Sequence, residues 1–383
     1  VKKIASAFRR LLEGCSWTGL TTPWILLLLS LYGLGLHSLS RFCGGLAGLM
    51  VESGVAAMCV HLCLFLCGLV LLLHETGHRW AHRRLKLPLG LLSAWFIYYG
   101  VGAFLWMLLC PALGMDMHRD AMVLNALALL ALAAVALGYR NAGKLTTTRY
   151  ALGEGGATIA LISDLHLGDY VGISHLRKIV ERVNELNADV VVIAGDLTDE
   201  PDEPLFGEEE LAKLQSREGV FFVAGNHDPS VENPEFRAFL QRSHIRLLHN
   251  EAVQLEQLTL LGHSDPANNA RHPSWESVKG LRRPLVAVEH DPRFIAECAE
   301  RGADLVLCGH THAGQFFPSD LLVKLSARDR FHYGLRHYGS TAAVISSGAG
   351  FFNLPIRLGT ENEVVAIHLG ANGSLQTEES SLQ

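Results

Sequence analysis

The chain has 383 residues, with 32 Lys+Arg against 38 Asp+Glu and a formal net charge of −6. That length is too great for one compact domain and enough for two. Charge is spread unevenly: residues 1–150 sum to +8 and residues 151–383 to −14. The acidic second part speaks against general nucleic-acid binding, which needs a broad positive footprint. Of the 8 cysteines only Cys298 and Cys308 lie beyond residue 150, so a disulfide framework is excluded.

In chain order, residues 1–150 read as a membrane unit. Uncharged stretches at 20–39, 54–73, 87–110 and 121–138 each approach the roughly 20 residues needed to cross a hydrocarbon core. Four spans make a cleaved leader a poor account of the first. Lys2, Lys3, Arg9 and Arg10 precede the first span; Arg79, Arg83, Arg84 and Lys86 separate the second and third; Arg140, Lys144 and Arg149 follow the fourth. The other two connections carry Arg41 and Arg119 against Glu52, Asp116 and Asp120. The basic connections predict a multi-pass protein of the cell (inner or plasma) membrane with both ends of the unit, and the domain after it, on the cytoplasmic side. Cys59, Cys63 and Cys67 share one helical face and read as packing residues.

The second part, 151–372, alternates strands and helices. Continuous apolar runs at 157–162, 190–194 and 220–223 predict strands buried on both faces. Leu176, Ile179, Val180, Val183 and Leu186 recur at helical spacing after Ser174. Further strands are predicted at 258–261, 285–288, 305–307, 342–346 and 364–368, and residues 373–383 read as a disordered tail. The expected fold is a four-layer α/β/β/α sandwich behind the four-helix transmembrane unit.

Five strand ends carry potential metal ligands. Asp164 and His166 follow the first run, Asp196 the second, Asn226, His227 and Asp228 the third, His290 the run at 285–288, and His310 and His312 the run at 305–307. Sites in open α/β sheets form beyond the carboxyl ends of strands. Residues i and i+2 of an extended chain point the same way, so each spaced pair is expected to converge on one small volume. Gly168, Gly195, Gly225, Gly309 and Gly314 allow tight turns or close approach to ligands.

Read in order, SDLHLG, GDLTD, GNHD, EHDP and GHTHAGQ resemble the motifs of the calcineurin-like metallophosphoesterase superfamily. SSGAGFFNLPIRLG at 346–359 and GYRNA at 138–142 resemble its membrane-anchored, multi-pass branch. The resemblance implies two divalent ions. Asp164, His166, Asp196 and His312 would hold the first, and Asp196, Asn226, His290 and His310 the second, with Asp196 as the bridge. It also implies a metal-activated hydroxide as nucleophile, His227 as donor of a proton to the leaving oxygen, and Asp228 as a residue that orients His227 or a ligand. Mixed nitrogen and oxygen ligation points to Mn, Fe or Zn. Two positions depart from the pattern: Glu289 stands where relatives usually have a small polar residue, and Ala313 where they often have Gly. His263, in LLGHSDP, occupies what resembles a substrate-loop position, and Asp199 reads as loop support.

The expected partners are the lipid bilayer and a phosphorylated small molecule or lipid. The substrate is a phosphate ester, a phosphodiester or a pyrophosphate, lipid-linked ones included, and the UDP-diacylglucosamine-type pyrophosphate of lipid A synthesis is one precedent. A basic, partly apolar segment with Phe317, Leu321, Leu322, Lys324, Arg328, Arg330 and Arg336 reads either as a solvated loop near anionic lipid or as a lid over the site. A non-catalytic, metal-bearing membrane sensor or scaffold is the alternative reading.

Overall fold

A computed structural model describes residues 79–109, 113, 117–153, 155–201, 204–267 and 275–370. Its contacts separate two compact units, Val1–Leu137 and Gly138–Gln383.

In the first unit, α1 (Arg79–Leu109) carries Pro88 in its first turns, and α2 begins at Met117 and runs to Ala142. The two helices meet through Trp95, whose indole stacks on Tyr99 at 5.1 Å between centroids and donates Nε1–H to Ala128 O at 3.0 Å. α2 leaves Leu129, Leu130 and Leu132 exposed. Among the described residues one helix is long and apolar enough to cross a membrane, over Asn125–Ala142. The expected span 121–138 falls in this helix and the expected span 87–110 falls largely in α1. The expected spans 20–39 and 54–73 lie outside the described residues.

The second unit is built on two six-stranded sheets. Sheet 1 holds β1 (Leu145–Leu152), β2 (Gly155–Ile162), β3 (Val190–Ala194), β4 (Val220–Val223), β5 (Ile245–Leu247) and a late strand at Asn362–Gly370. Sheet 2 holds β6 (Glu251–Gln254), β7 (Thr259–Gly262), β8 (Leu285–Val288), β9 (Leu305–Cys308), β10 (Gly334–Tyr338) and β11 (Thr341–Ile345). The late strand is β12, and the orders are β1-β12-β2-β3-β4-β5 and β10-β11-β9-β8-β7-β6.

Alternation explains the layers. In β3, Val190, Val192 and Ala194 enter the core between the sheets, while Val191 and Ile193 pack on the other side with α3 (Ile173–Asn184), α4 (Glu208–Leu211) and α5 (Pro234–Arg242). A third cluster covers the outer face of sheet 2, where Ile295 and Cys298 of α6 (Ile295–Glu300) meet Ala287, Val306 and Cys308. Strands buried on both faces must be apolar throughout, which is why VVVIA, VFFV and LVLC read so plainly. α3 buries Leu176, Ile179, Val180 and Val183 as its spacing predicts, and stops at Asn184, before Leu186. β1, β5, β6 and β10 carry no continuous apolar run and are additions to the expected set. All four are outermost strands with polar residues along them.

Candidate metal centre

Each candidate ligand lies in the loop directly after a strand: β2 for Asp164 and His166, β3 for Asp196, β4 for Asn226, β8 for His290, and β9 for His310 and His312. Parallel neighbours end level, with Ile162 beside Ile193, Ala194 beside Val223 and Val288 beside Leu307, so these loops open at one end of the sandwich.

The spacing argument needs correction. The i, i+2 pairs converge, but not along extended chain. Asp164, His166, Asp196, His310 and His312 have φ of 52, 46, 52, 72 and 50°, all in the left-handed region. The chain turns sharply off each strand end, and the turns aim the side chains. Such backbone costs on the order of 1 kcal/mol or more per residue and persists only where neighbours hold it. Here Asp164 N–H donates to Gly195 O and His166 N–H to Asp196 O, each at 3.0 Å. His310 N–H reaches both carboxylate oxygens of Asp164 at 3.0 Å. A side chain at Gly225 would collide with the carboxylate of Asp196, and one at Gly309 with that of Asp164.

Two groups form. In one, His312 Nε2 lies 3.1 Å from His166 Nε2 and 3.4 Å from Asp164 Oδ1. In the other, His290 Nε2 lies 3.1 Å from Asp196 Oδ2, 3.0 Å from Asn226 Oδ1 and 3.1 Å from His310 Nδ1. Asp196 Oδ2 is also 3.6 Å from His166 Nε2, so its carboxylate reaches both groups. The structure thus brings together all seven residues expected to hold metal.

The donor chemistry fits cations. His290 donates Nδ1–H to Ala194 O at 2.9 Å, which aims Nε2 at a carboxylate oxygen and a second imidazole nitrogen. Burial alone would lower its imidazole, but Asp196 and Asp164 raise it well above the usual range, so a proton on Nε2 takes the place a cation would hold. Acceptors this close repel unless a proton or a cation lies among them. Burial alone would push the carboxyl of Asp196 up, but His290, His166 and His227 overcome it and hold the group well below the usual carboxylate range. Burial, with His166 and Arg357 nearby, holds His312 well below the usual imidazole range and so keeps it a neutral donor. Asp164, His166, His312 and Asp196, His290, His310 are each arranged as a metal-capable group.

His227 sits beside these groups. Its backbone N–H donates to Asp196 Oδ1 at 2.9 Å, its Nδ1 to Asp199 O at 2.9 Å, and its ring lies 4.5 Å from that of Phe352. Asp228 accepts from the backbone N–H groups of Asp196, Leu197, Thr198 and Gly225 at 2.8–3.0 Å, tying the loop after β3 to the loop after β4. Burial, then the neighbouring Asp196, pushes its carboxyl up to about 6.

Sequence reasoning missed two contributors and read a third, Asp199, only as loop support. Asp199 Oδ1 lies 3.4 Å from His166 Nδ1, on the side of the ring away from His312, where a carboxylate orients an imidazole ligand. Phe352 lines the centre against His166 and His227. Arg357 is fully buried and donates to His312 O, Ser347 O and Gly350 O at 2.9, 2.7 and 2.6 Å. Burial lowers its guanidinium to about 10, against the pull of Asp164 and Glu363. Phe352 and Arg357 stand in the SSGAGFFNLPIRLG stretch, which was the available signal. Beyond the His310–His312 loop, α7 (Ser319–Ser326) leaves Leu321 and Leu325 exposed, with Phe317 just before it and Lys324 between them.

The sequence profile of the family described as calcineurin-like phosphoesterase matches residues 157–314. An uncharacterized metallophosphoesterase of Helicobacter pylori strain J99 is 36% identical over 219 residues, covering 55% of this chain and 59% of that protein. A transmembrane protein with metallophosphoesterase domain from Danio rerio is 34% identical over 234 residues, covering 56% of this chain and 53% of that one. An uncharacterized metallophosphoesterase of Aquifex aeolicus is 29% identical over 225 residues, 55% of this chain and 84% of that one. The chain spans little more than half the length of the first two relatives.

Proposed function

Residues 157–314 belong to the calcineurin-like phosphoesterase family, and from that premise we propose that the protein is a membrane-anchored, metal-dependent phosphohydrolase. The observation that carries this reading is the convergence of imidazole nitrogens on the carboxylates of Asp164 and Asp196. Two divalent ions are proposed, Mn, Fe or Zn by the mixed ligand set. Asp164, His166, Asp196 and His312 would hold one, and Asp196, Asn226, His290 and His310 the other. When bound, such ions supply Lewis acidity at phosphoryl oxygens and lower the pKa of a water.

The remaining work falls to the protein. Asp196 offsets cationic charge on both sides, and Asp228 fixes the loop that carries it. Asp199 and Ala194 O orient His166 and His290 through their second nitrogens. His227 is the proposed proton donor to the leaving oxygen. Asp199 O takes its Nδ1–H, which fixes the ring and leaves Nε2 for transfer. The ring of Phe352 packs against that of His227.

The substrate class proposed is a phosphate ester, phosphodiester or pyrophosphate, with a lipid-linked one favoured by three features. They are the candidate membrane helix Asn125–Ala142, the exposed Phe317, Leu321 and Leu325, and the likeness to a transmembrane protein of Danio rerio. The catalytic domain is proposed to face the cytoplasm, which a reporter fused after Gln383 checks. The deciding experiment is hydrolysis by the purified full chain with Mn, using lipid-linked pyrophosphates and soluble phosphodiesters side by side. His227→Ala is expected to lower turnover by about 10²–10⁴-fold while keeping the bound metal. A metal-loaded wild type that hydrolyses nothing on the panel sinks the enzyme reading and leaves the sensor or scaffold.

A further inference from the structure

Behind His290 lies a group of side chains that the proposed reaction does not use. Leu285 and Ala287 of β8 face the outer side of sheet 2, and Glu289, just past the strand's end, lies on that same side, where α6 packs. His263 emerges on that same side from the end of β7. His263 Nδ1 lies 2.6 Å from Glu289 Oε1, and Cys298 Sγ of α6 lies 3.3 Å from the same oxygen. One ligand atom from each residue lies within 4.8 Å of the other two. All three are shut from water, at 0, 1 and 0% exposure for His263, Glu289 and Cys298.

We propose that His263, Glu289 and Cys298 form a further cation site, separate from the Asp196 centre, that takes a borderline-soft divalent ion such as zinc. Two observations converge on it. The first is charge: a carboxylate and a thiolate together neutralise one divalent ion, and a neutral assembly is what a water-free core tolerates. Binding releases the thiol proton to solvent as the Sγ–metal bond forms. His263 ligates through Nδ1, the nitrogen that faces Glu289, with the ring's proton on Nε2. The second is ligand type, since sulfur, nitrogen and oxygen together suit zinc and not magnesium or calcium. The site joins the ends of β7 and β8 to α6, so it staples a helix directly behind a residue of the Asp196 centre. It stands independently of the proposed reaction.

The Asp196 centre offers only nitrogen and oxygen, so a sulfur signal separates the two sites. The full chain is purified in detergent, stripped with chelator and loaded with cobalt(II). A near-ultraviolet thiolate-to-cobalt band is expected in the wild type, in Asp196→Asn and in Cys308→Ser, the latter changing the other buried thiol of the same core cluster. Cys298→Ser is expected to lose the band and one equivalent of cobalt, and Glu289→Gln to weaken binding at least about tenfold. If Cys298→Ser does not fold, His263→Gln carries the same comparison. A wild type without the band, or a band that survives Cys298→Ser, overturns the site.

Discussion

The two sheets bring unlike halves to the centre. Sheet 1 contributes the carboxylates of Asp164 and Asp196, the amide of Asn226, and His166; sheet 2 contributes the imidazoles of His290, His310 and His312. The carboxylates also do structural work. Asp164 receives the backbone N–H of His310 from the opposite sheet, and Asp196 receives that of His227. The imidazoles are instead positioned by others, His290 by a carbonyl of sheet 1 and the His312 loop by Arg357. One half therefore carries charge and architecture together, and the other carries the ring nitrogens. Losing a carboxylate should cost more than losing an imidazole.

The largest expected effect breaks the first half. Asp196→Asn removes the charge shared by both groups, and kcat/KM should fall by about a thousandfold or more with loss of bound metal. Elemental analysis beside the hydrolysis assay checks this, and a variant that keeps two metals and full activity would remove Asp196 from its role. Next come His310→Ala and His312→Ala, which test whether sheet 2 serves two ions or one. Each should lose a different metal equivalent and about 10²-fold in activity. Identical metal losses in the two variants would collapse the two groups into one. Arg357→Met then tests the support. It leaves the carbonyls of His312, Ser347 and Gly350 without their buried donor, and stability should drop by about 3 kcal/mol in urea titrations. An unchanged midpoint would show that water replaces the guanidinium.

The smallest effect concerns His175, remote from these ligands on α3. Burial depresses its imidazole below the ordinary value, with Lys178 and Arg357 adding to that and its bond to Ala349 O, at 2.8 Å, opposing it. The folded state thus prefers the neutral ring. Its contribution to stability is present above the unfolded value near 6.5 and is lost as pH falls through the lower folded value. Melting temperature should decline slightly more from pH 7 to pH 5 in the wild type than in His175→Asn. Parallel melting curves would count against it.

Sheet strands buried on both faces were legible because VVVIA, VFFV and LVLC cannot be anything but apolar, and the ligands were legible because they stop those runs. β1, LTTTRYAL, was not, since an outermost strand is free to be polar. The left-handed turns at Asp164, His166 and His310 were also hidden, because neither an aspartate nor a histidine announces that conformation as glycine does. Arg357 escaped because an isolated arginine normally belongs to the surface. Glu289 looked like a minor departure and His263 like a substrate-loop residue, and only the sheet's register places them side by side. Phe352 lay in a stretch whose meaning depended on a loop returning from the far end of the chain.

β12 lies between β1 and β2, two strands that are neighbours in sequence and not in the sheet. During synthesis β1 and β2 emerge early, while the strand that must fill the slot between them emerges after every other strand described here. Sheet 1 therefore cannot close while the chain is still growing, and the slot's two flanks wait as unpaired edges. Asp164, at the end of β2, reaches its final surroundings only when the last strand is seated. That makes assembly a late, all-or-none event and makes truncation before residue 362 a loss of the whole sheet, not of its final strand alone.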